Sequence, residues 1–142
     1  MEYIINTDGG SRGNPGPAGI GYSIRNSLGS ILSEKGFYIG EVTNNVAEYQ
    51  AVVEALKELK KIIPKASRGK AKIEVRMDSE LIVKQLNNQY QVKEKSLFTY
   101  FITVHNFTIS EFPLIKFKHV PRAENARADE LVNQAIDHEI SR

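Results

Sequence analysis

The sequence contains no cysteine, and that absence removes several chemistries at once. A disulfide framework, a thiolate metal site and a catalytic thiol are all excluded, which leaves oxygen and imidazole chemistry. No stretch is long and apolar enough to span a membrane, and Met1 to Asp8 lacks the basic region and apolar run of a secretory signal. A soluble, cytoplasmic protein is therefore expected. A strong charge of either sign is also missing: 19 Lys and Arg against 17 Asp and Glu leave a net charge of +2. That balance is compatible with a nucleic-acid partner without demanding one. A charged fraction of 25% is ordinary for a folded chain and argues against disorder.

What is present is enough for one core. At 142 residues and 41% hydrophobic, the chain reads as a single domain spanning 1–142, with no internal repeat, low-complexity segment or linker. Tyr3 to Thr7 is rich in β-branched and aromatic residues and reads as a strand that delivers Asp8 at its end. Ser11 to Pro17 is dense in turn formers and reads as a loop. Two further strands, Ala18 to Arg25 and Ile31 to Ile39, joined by the Asn26–Gly29 turn, complete an antiparallel meander.

From Thr43 the apolar spacing becomes helical, with Thr43 or Asn44 as N-cap, apolar residues from Tyr49 to Ile63, and Pro64 as the stop. At about 100° per residue, Glu48 projects with Val52, Ala55 and Leu59, inside the apolar arc. Its carboxylate points inward. After the short basic loop Ser67 to Lys70, the alternation of Ile73, Val75 and Met77 with Lys72, Glu74 and Arg76 marks a half-buried strand with Asp78 at its exit. Ser79 then opens a short helix, and such strand-to-helix junctions hold ligands in open α/β sheets. Asn87 to Lys95 is a polar connection, Leu97 to Phe107 a helix, and Leu114 to Val120 a final strand. A C-terminal helix follows the loop Pro121 to Asn125 and carries Asp129 near the edge of its apolar arc.

Asp8, Glu48, Asp78 and Asp129 can thus converge on one cavity. Gathered carboxylates repel and raise one another's pKa unless a cation neutralises them. Hard oxygen ligands favour magnesium or manganese, and with them phosphate chemistry.

The runs Thr7 to Pro17, Thr43 to Glu48, Asp78-Ser79 and His119 to Glu130 resemble, in order and spacing, the signature of type 1 ribonuclease H, and the likeness covers almost the whole chain. The resemblance implies an α/β ribonuclease H-like fold: a five-stranded mixed sheet, three antiparallel then two parallel strands, with helices on both faces. It implies an endoribonuclease that cleaves the RNA strand of an RNA/DNA hybrid by two-metal-ion catalysis, leaving a 5′-phosphate and a 3′-hydroxyl. Asp8, Glu48, Asp78 and Asp129 would be both the catalytic and the metal residues, binding two Mg²⁺ ions with Mn²⁺ as substitute. By the same resemblance His119, ten residues before Asp129, assists proton transfer or product release. The resemblance further implies that Asn14, Asn44 and Asn45 would contact the hybrid through its minor groove and that Thr43 and Ser79 could donate to a DNA-strand phosphate. His105 and His138 have no ligand spacing.

One departure concerns the DNA strand. Some family members insert a basic helix after the second helix, for which Asn87 to Ser96 leaves no room, so this is a compact form lacking the basic handle. Lys93, Lys95, Arg12, Arg122 and Arg127 are the remaining candidates for phosphate contacts. A monomer with no obligate protein partner is expected. The alternative reading is a catalytically weak or inactive hybrid-binding module on the same fold.

Overall fold

A computed structural model of the chain describes residues 1–142. Strands β1 (Glu2–Ser11), β2 (Gly16–Asn26) and β3 (Ile31–Val42) form the antiparallel meander. Helix α1 (Asn44–Ile62) and a single helical turn, α2 (Lys65–Arg68), lead to β4 (Lys72–Met77). Then come α3 (Glu80–Leu86), α4 (Phe98–Ser110), β5 (Ile115–His119) and α5 (Ala126–Ile140). The strand order is β3-β2-β1-β4-β5, with β4 parallel to both β1 and β5, so the expected mixed sheet is present.

Alternation along β1 divides the two faces. Tyr3, Ile5, Thr7 and Gly9 are buried on the side covered by α1, whose own buried face runs from Val46 through Tyr49, Val52 and Leu56 to Leu59. The opposite face of β1, β2 and β3 is covered by α5, through Ala128, Leu131, Val132 and Ile136. Burying nine residues of α1 gives this helix far more stabilisation than its own propensity would.

Two helices approach the sheet closely, and glycine allows it. A Cβ on Gly9 would lie 2.3 Å from the carbonyl of Ala47 in α1, and one on Gly21 would lie 2.6 Å from the Ala128 carbonyl in α5. Both contacts fall beside acidic residues, Glu48 in α1 and Asp129 in α5.

Three local expectations are corrected. First, β1 does not end at Thr7 but continues through Asp8 to Ser11, because Asp8, Gly9 and Gly10 still pair with Gly21, Ile20 and Gly19 of β2. Second, the basic loop after α1 begins as the helical turn α2. Arg68 folds it back by donating to the Ile63 carbonyl at 3.0 Å and the Lys60 carbonyl at 2.8 Å, where α1 leaves carbonyls without helical partners. Third, α4 extends to Ser110.

Candidate active site

The ladder between β1 and β4 stops at Asn6 opposite Arg76. Two residues further along each strand are Asp8 and Asp78, which therefore share a parity and a face of the sheet. From Thr7 to Ser11, β1 pairs with β2 alone, and the ground on its other edge is open. Glu48 of α1 completes a trio: one oxygen each from Asp8, Glu48 and Asp78 lies within 4.8 Å of the others. Asp129, in the first turn of α5, is near enough to Asp8 to raise its pKa and lines the same cavity of about 440 Å³. That cavity is polar, with Val132 and Ile136 its two hydrophobic members.

The electrostatics follow from crowding and burial. Desolvation, then repulsion from Asp78, Glu48 and Asp129, pushes Asp8 up to about 8. Glu48 is pushed up to about 7, chiefly by desolvation, with a hydrogen bond from Ser79 acting against the rise. Asp78 is also raised by burial, while its own backbone amide, Arg122 and His119 pull it down. One oxygen of Glu48 is buried with no hydrogen-bond partner, as is the hydroxyl of Thr7 beside it. A buried carboxylate oxygen without a donor is costly. Divalent cations would supply the missing partner, and an all-oxygen ligand set suits Mg²⁺ or Mn²⁺.

The other sequence-predicted residues divide by location. Thr43 caps α1, its hydroxyl accepting from Val46 N at 3.3 Å, which settles the cap in favour of Thr43 over Asn44. Asn44 instead ties two segments together. Its side chain accepts from Ser11 N at 2.8 Å, and its own amide donates to the Asn14 side chain at 3.0 Å. Asn14 and Asn44 are exposed at this junction, and Asn44 lines the carboxylate cavity. Asn45 donates to Glu94 at 3.0 Å across to the connection before α4. Ser79 caps α3 by accepting from Ile82 N at 3.3 Å, and its hydroxyl acts to lower the Glu48 pKa. His119 is exposed at the end of β5, paired with Met77 next to Asp78, but is not among the residues lining the cavity.

Among the basic candidates, Arg122 lines the cavity. Arg12 also lines it, but its guanidinium is engaged by Asp137 at 2.6 Å. Arg127 is held by Glu34 and Glu130.

Sequence reasoning missed the support beneath Asp129. Asn125, 1% exposed, accepts from Asn6 at 3.0 Å and donates to the Thr7 carbonyl at 2.8 Å. Asn6 also donates to the Glu124 carbonyl at 3.2 Å and accepts from Arg25 at 2.9 Å. The start of α5 is thereby bonded to β1 two residues before Asp8. No local pattern marks these asparagines, since their partners lie 118 and 119 positions away.

Residues 6–135 match the Reverse transcriptase-like family. The chain is 39% identical over 138 residues to bifunctional protein Rv2228c of Mycobacterium tuberculosis, covering 96% of this chain and 36% of that protein. It is 34% identical over 155 residues to the ribonuclease H of Hydrogenovibrio crunogenus, covering 96% of this chain and 97% of that one. Among solved structures it is similar to LC11-RNase H1, isolated from compost, with a TM-score of 0.92 and 50% identity across 98% of both chains. The chain belongs to the type 1 ribonuclease H family. It spans about a third of the length of Rv2228c. LC11-RNase H1 has also been seen in complex with an RNA/DNA hybrid, and that structure aligns with a TM-score of 0.89 at 48% identity, over 97% of this chain and 99% of the other. No helix of this ribonuclease H family member is long and apolar enough to cross a membrane.

Proposed function

We propose that this chain is an endoribonuclease that hydrolyses the RNA strand of RNA/DNA hybrids, leaving a 5′-phosphate and a 3′-hydroxyl. The observation that carries this reading is the carboxylate cluster itself: Asp8, Glu48 and Asp78 within 4.8 Å, with a Glu48 oxygen buried and unpartnered. The hybrid-bound relative at 48% identity supports the substrate class.

Asp8, Glu48, Asp78 and Asp129 would hold two divalent cations, Mg²⁺ or Mn²⁺. When bound, these supply activation of the attacking water and stabilisation of charge on the leaving 3′ oxygen. The rest is done by the chain. Asn14 and Asn44, tied to each other and to Ser11, present amide groups to the minor groove of the hybrid, where 2′-hydroxyls identify the RNA strand. Asn45 stands beside them. Thr43 and Ser79, already committed as helix caps, offer their hydroxyls to a phosphate of the DNA strand. Arg122 lowers the Asp78 pKa from across the cavity and carries positive charge toward the scissile phosphate. His119 is exposed at the rim, where it can exchange a proton with solvent.

A labelled hybrid incubated with Mg²⁺, Mn²⁺ or EDTA tests the reading, with duplex RNA and a DNA duplex carrying one ribonucleotide as comparators. Cleavage of the RNA strand with either metal and none in EDTA is expected. Hybrid binding with no metal-dependent product would instead make the chain a binding module, and full activity in Asp8→Asn would remove the carboxylate site from the mechanism.

A further inference from the structure

The basic residues are unevenly distributed. Seven of the chain's nineteen Lys and Arg fall between Lys57 and Lys72, and Glu58 is the one acid in that stretch. The fold gathers these positions at the C-terminal end of α1, around α2 and at the start of β4. Lys57, Lys60, Lys61, Lys65, Lys70 and Lys72 are all exposed.

The acids that could neutralise them are engaged. Glu58 accepts from Lys35 at 2.6 Å and from Tyr22 at 3.1 Å, outside the cluster. Glu111 is shared by Arg68 at 2.9 Å and Lys60 at 3.4 Å. Lys57 reaches Glu54 at 3.4 Å. Lys61, Lys65, Lys70 and Lys72 have no carboxylate within salt-bridge distance. Arg68 fixes the turn that carries Lys65 by its bonds to the Ile63 and Lys60 carbonyls. Free lysines are therefore displayed on a braced turn, not on a loose tail. Toward the strands the surface becomes mixed, with Glu2 and Glu74 near Lys72.

This pole is remote from the chemistry. Asn44 at the first turn of α1 lines the carboxylate cavity, and Ile62 ends the helix 18 residues later, about 27 Å away at 1.5 Å per residue. That exceeds the Debye length of roughly 8 Å at physiological salt several times over. The lysines therefore contribute little to charge in the cavity.

We propose that this basic pole is a second, non-catalytic nucleic-acid site, which binds the phosphate backbone of a duplex segment other than the one being cut. Charge complementarity selects the occupant. An anionic membrane would want apolar side chains beside the lysines, whereas α2 is Lys65-Ala66-Ser67-Arg68 and buries none of its residues. Phosphate contacts by lysine are indifferent to sequence and to sugar, so duplex DNA is bound there as well as hybrid. Two sites on opposite poles hold the enzyme on nucleic acid between cleavage events.

Binding of an all-DNA duplex by fluorescence anisotropy, in EDTA, tests this without relying on the cleavage assignment. The comparison is between the wild-type chain and a variant carrying Lys61→Glu, Lys65→Glu, Lys70→Glu and Lys72→Glu. Affinity at low salt should fall by at least about tenfold, and the slope of log affinity against log salt should shrink by about 3.6 if all four contacts are lost, at about 0.9 per contact. A variant with glutamine at the same four positions should show an intermediate loss, and thermal melts of both should match the wild type. Cleavage of a short hybrid of about one helical turn should be unchanged, because that duplex occupies the cavity alone. Equal DNA affinity in wild type and the glutamate variant would overturn the second site. So would a loss of DNA binding produced equally by Asn14→Ala and Asn44→Ala, which would place the duplex at the cavity, or binding of phosphatidylserine vesicles without binding of DNA. Absence of wild-type cleavage of the short hybrid would count against the proposed activity and leave the second site standing.

Discussion

Replacing Asp8 with asparagine should stabilise the metal-free protein while abolishing hybrid cleavage, and the size and pH dependence of the gain follow from the cluster. Burial and three neighbouring carboxylates raise the Asp8 pKa from 3.8 to about 8. A carboxyl raised on folding favours the folded state only while protonated. That contribution is complete below the unfolded value and is lost as pH rises through the folded one. A rise from 3.8 to about 8 sets a ceiling of roughly 6 kcal/mol lost by pH 8. The cavity is partly open to solvent, so screening reduces this to about 2 to 3 kcal/mol. Asparagine keeps the shape, carries no charge and can donate to Asp129. For a chain of this size each kcal/mol moves the melting temperature by roughly 3 to 4 °C. The variant should therefore melt roughly 6 to 12 °C above wild type in EDTA at pH 8.5, and close to wild type at pH 4. Differential scanning calorimetry across that range is the assay. Adding Mg²⁺ at pH 8.5 should narrow the gap, since an ion held by the four carboxylates would stabilise the wild-type cluster and would lose a ligand in the variant. A gain that is the same at pH 4 and pH 8.5, or a loss at pH 8.5, would refute the reasoning from carboxylate repulsion.

Four further outcomes are expected. Asn125→Ala should cost about 2 to 4 kcal/mol in urea unfolding, because it strands the Asn6 amide and the Thr7 carbonyl in the interior; a cost under about 0.5 kcal/mol would show that the network is slack. Gly9→Ala should destabilise by about 3 kcal/mol or more, since its Cβ would sit 2.3 Å from the Ala47 backbone, and a melt within a few degrees of wild type would contradict that close approach. Arg122→Ala should raise the Asp78 pKa further, read by carboxyl carbon NMR titration in EDTA, whereas an unmoved titration would mean the guanidinium does not act on it. His119→Ala should slow turnover by roughly tenfold without abolishing it, and wild-type turnover at every pH would remove His119 from the reaction.

Much of this architecture was legible because its local signals and tertiary needs agree. Ile73, Val75 and Met77 alternate with polar residues and are buried in β4, so Asp78 lands at the strand exit. Glu48 shares an angle with Val52, Ala55 and Leu59, all buried, so its inward direction follows from the helix period alone. The errors occur where local propensity and the tertiary structure disagree. Asp8-Gly9-Gly10-Ser11 has the chemistry of a turn yet forms strand, because the segment pairs with β2 and Gly9 is there to admit α1 and not to bend the chain. Arg68 looked like one more loop cation and instead caps α1. The position of Asp129 was only half readable: helix phase gives its angle, but the depth of α5 on the sheet depends on Gly21 and Gly36 meeting Ala128 and Leu131, a match between distant segments.

The carboxylate cluster is a local conflict maintained by its surroundings. Left alone, Asp8, Glu48 and Asp78 would separate or stay protonated, and the unpartnered Glu48 oxygen adds a further cost. Two devices prevent separation. Gly9 lets the backbone of α1 press against β1 next to Glu48, and the Asn6–Asn125–Thr7 network bonds the start of α5 to β1 next to Asp129. Charge and support therefore pull stability in opposite directions. Removing the charge with Asp8→Asn relaxes the conflict and raises metal-free stability, whereas removing the support with Asn125→Ala leaves the conflict in place and lowers it. Both should lower hybrid cleavage, and only a site in which repulsion is held together by packing predicts that pairing. If both variants were destabilised in EDTA at pH 8.5, the four acids would be acting as ordinary structural polar groups, with no ion needed to reconcile them.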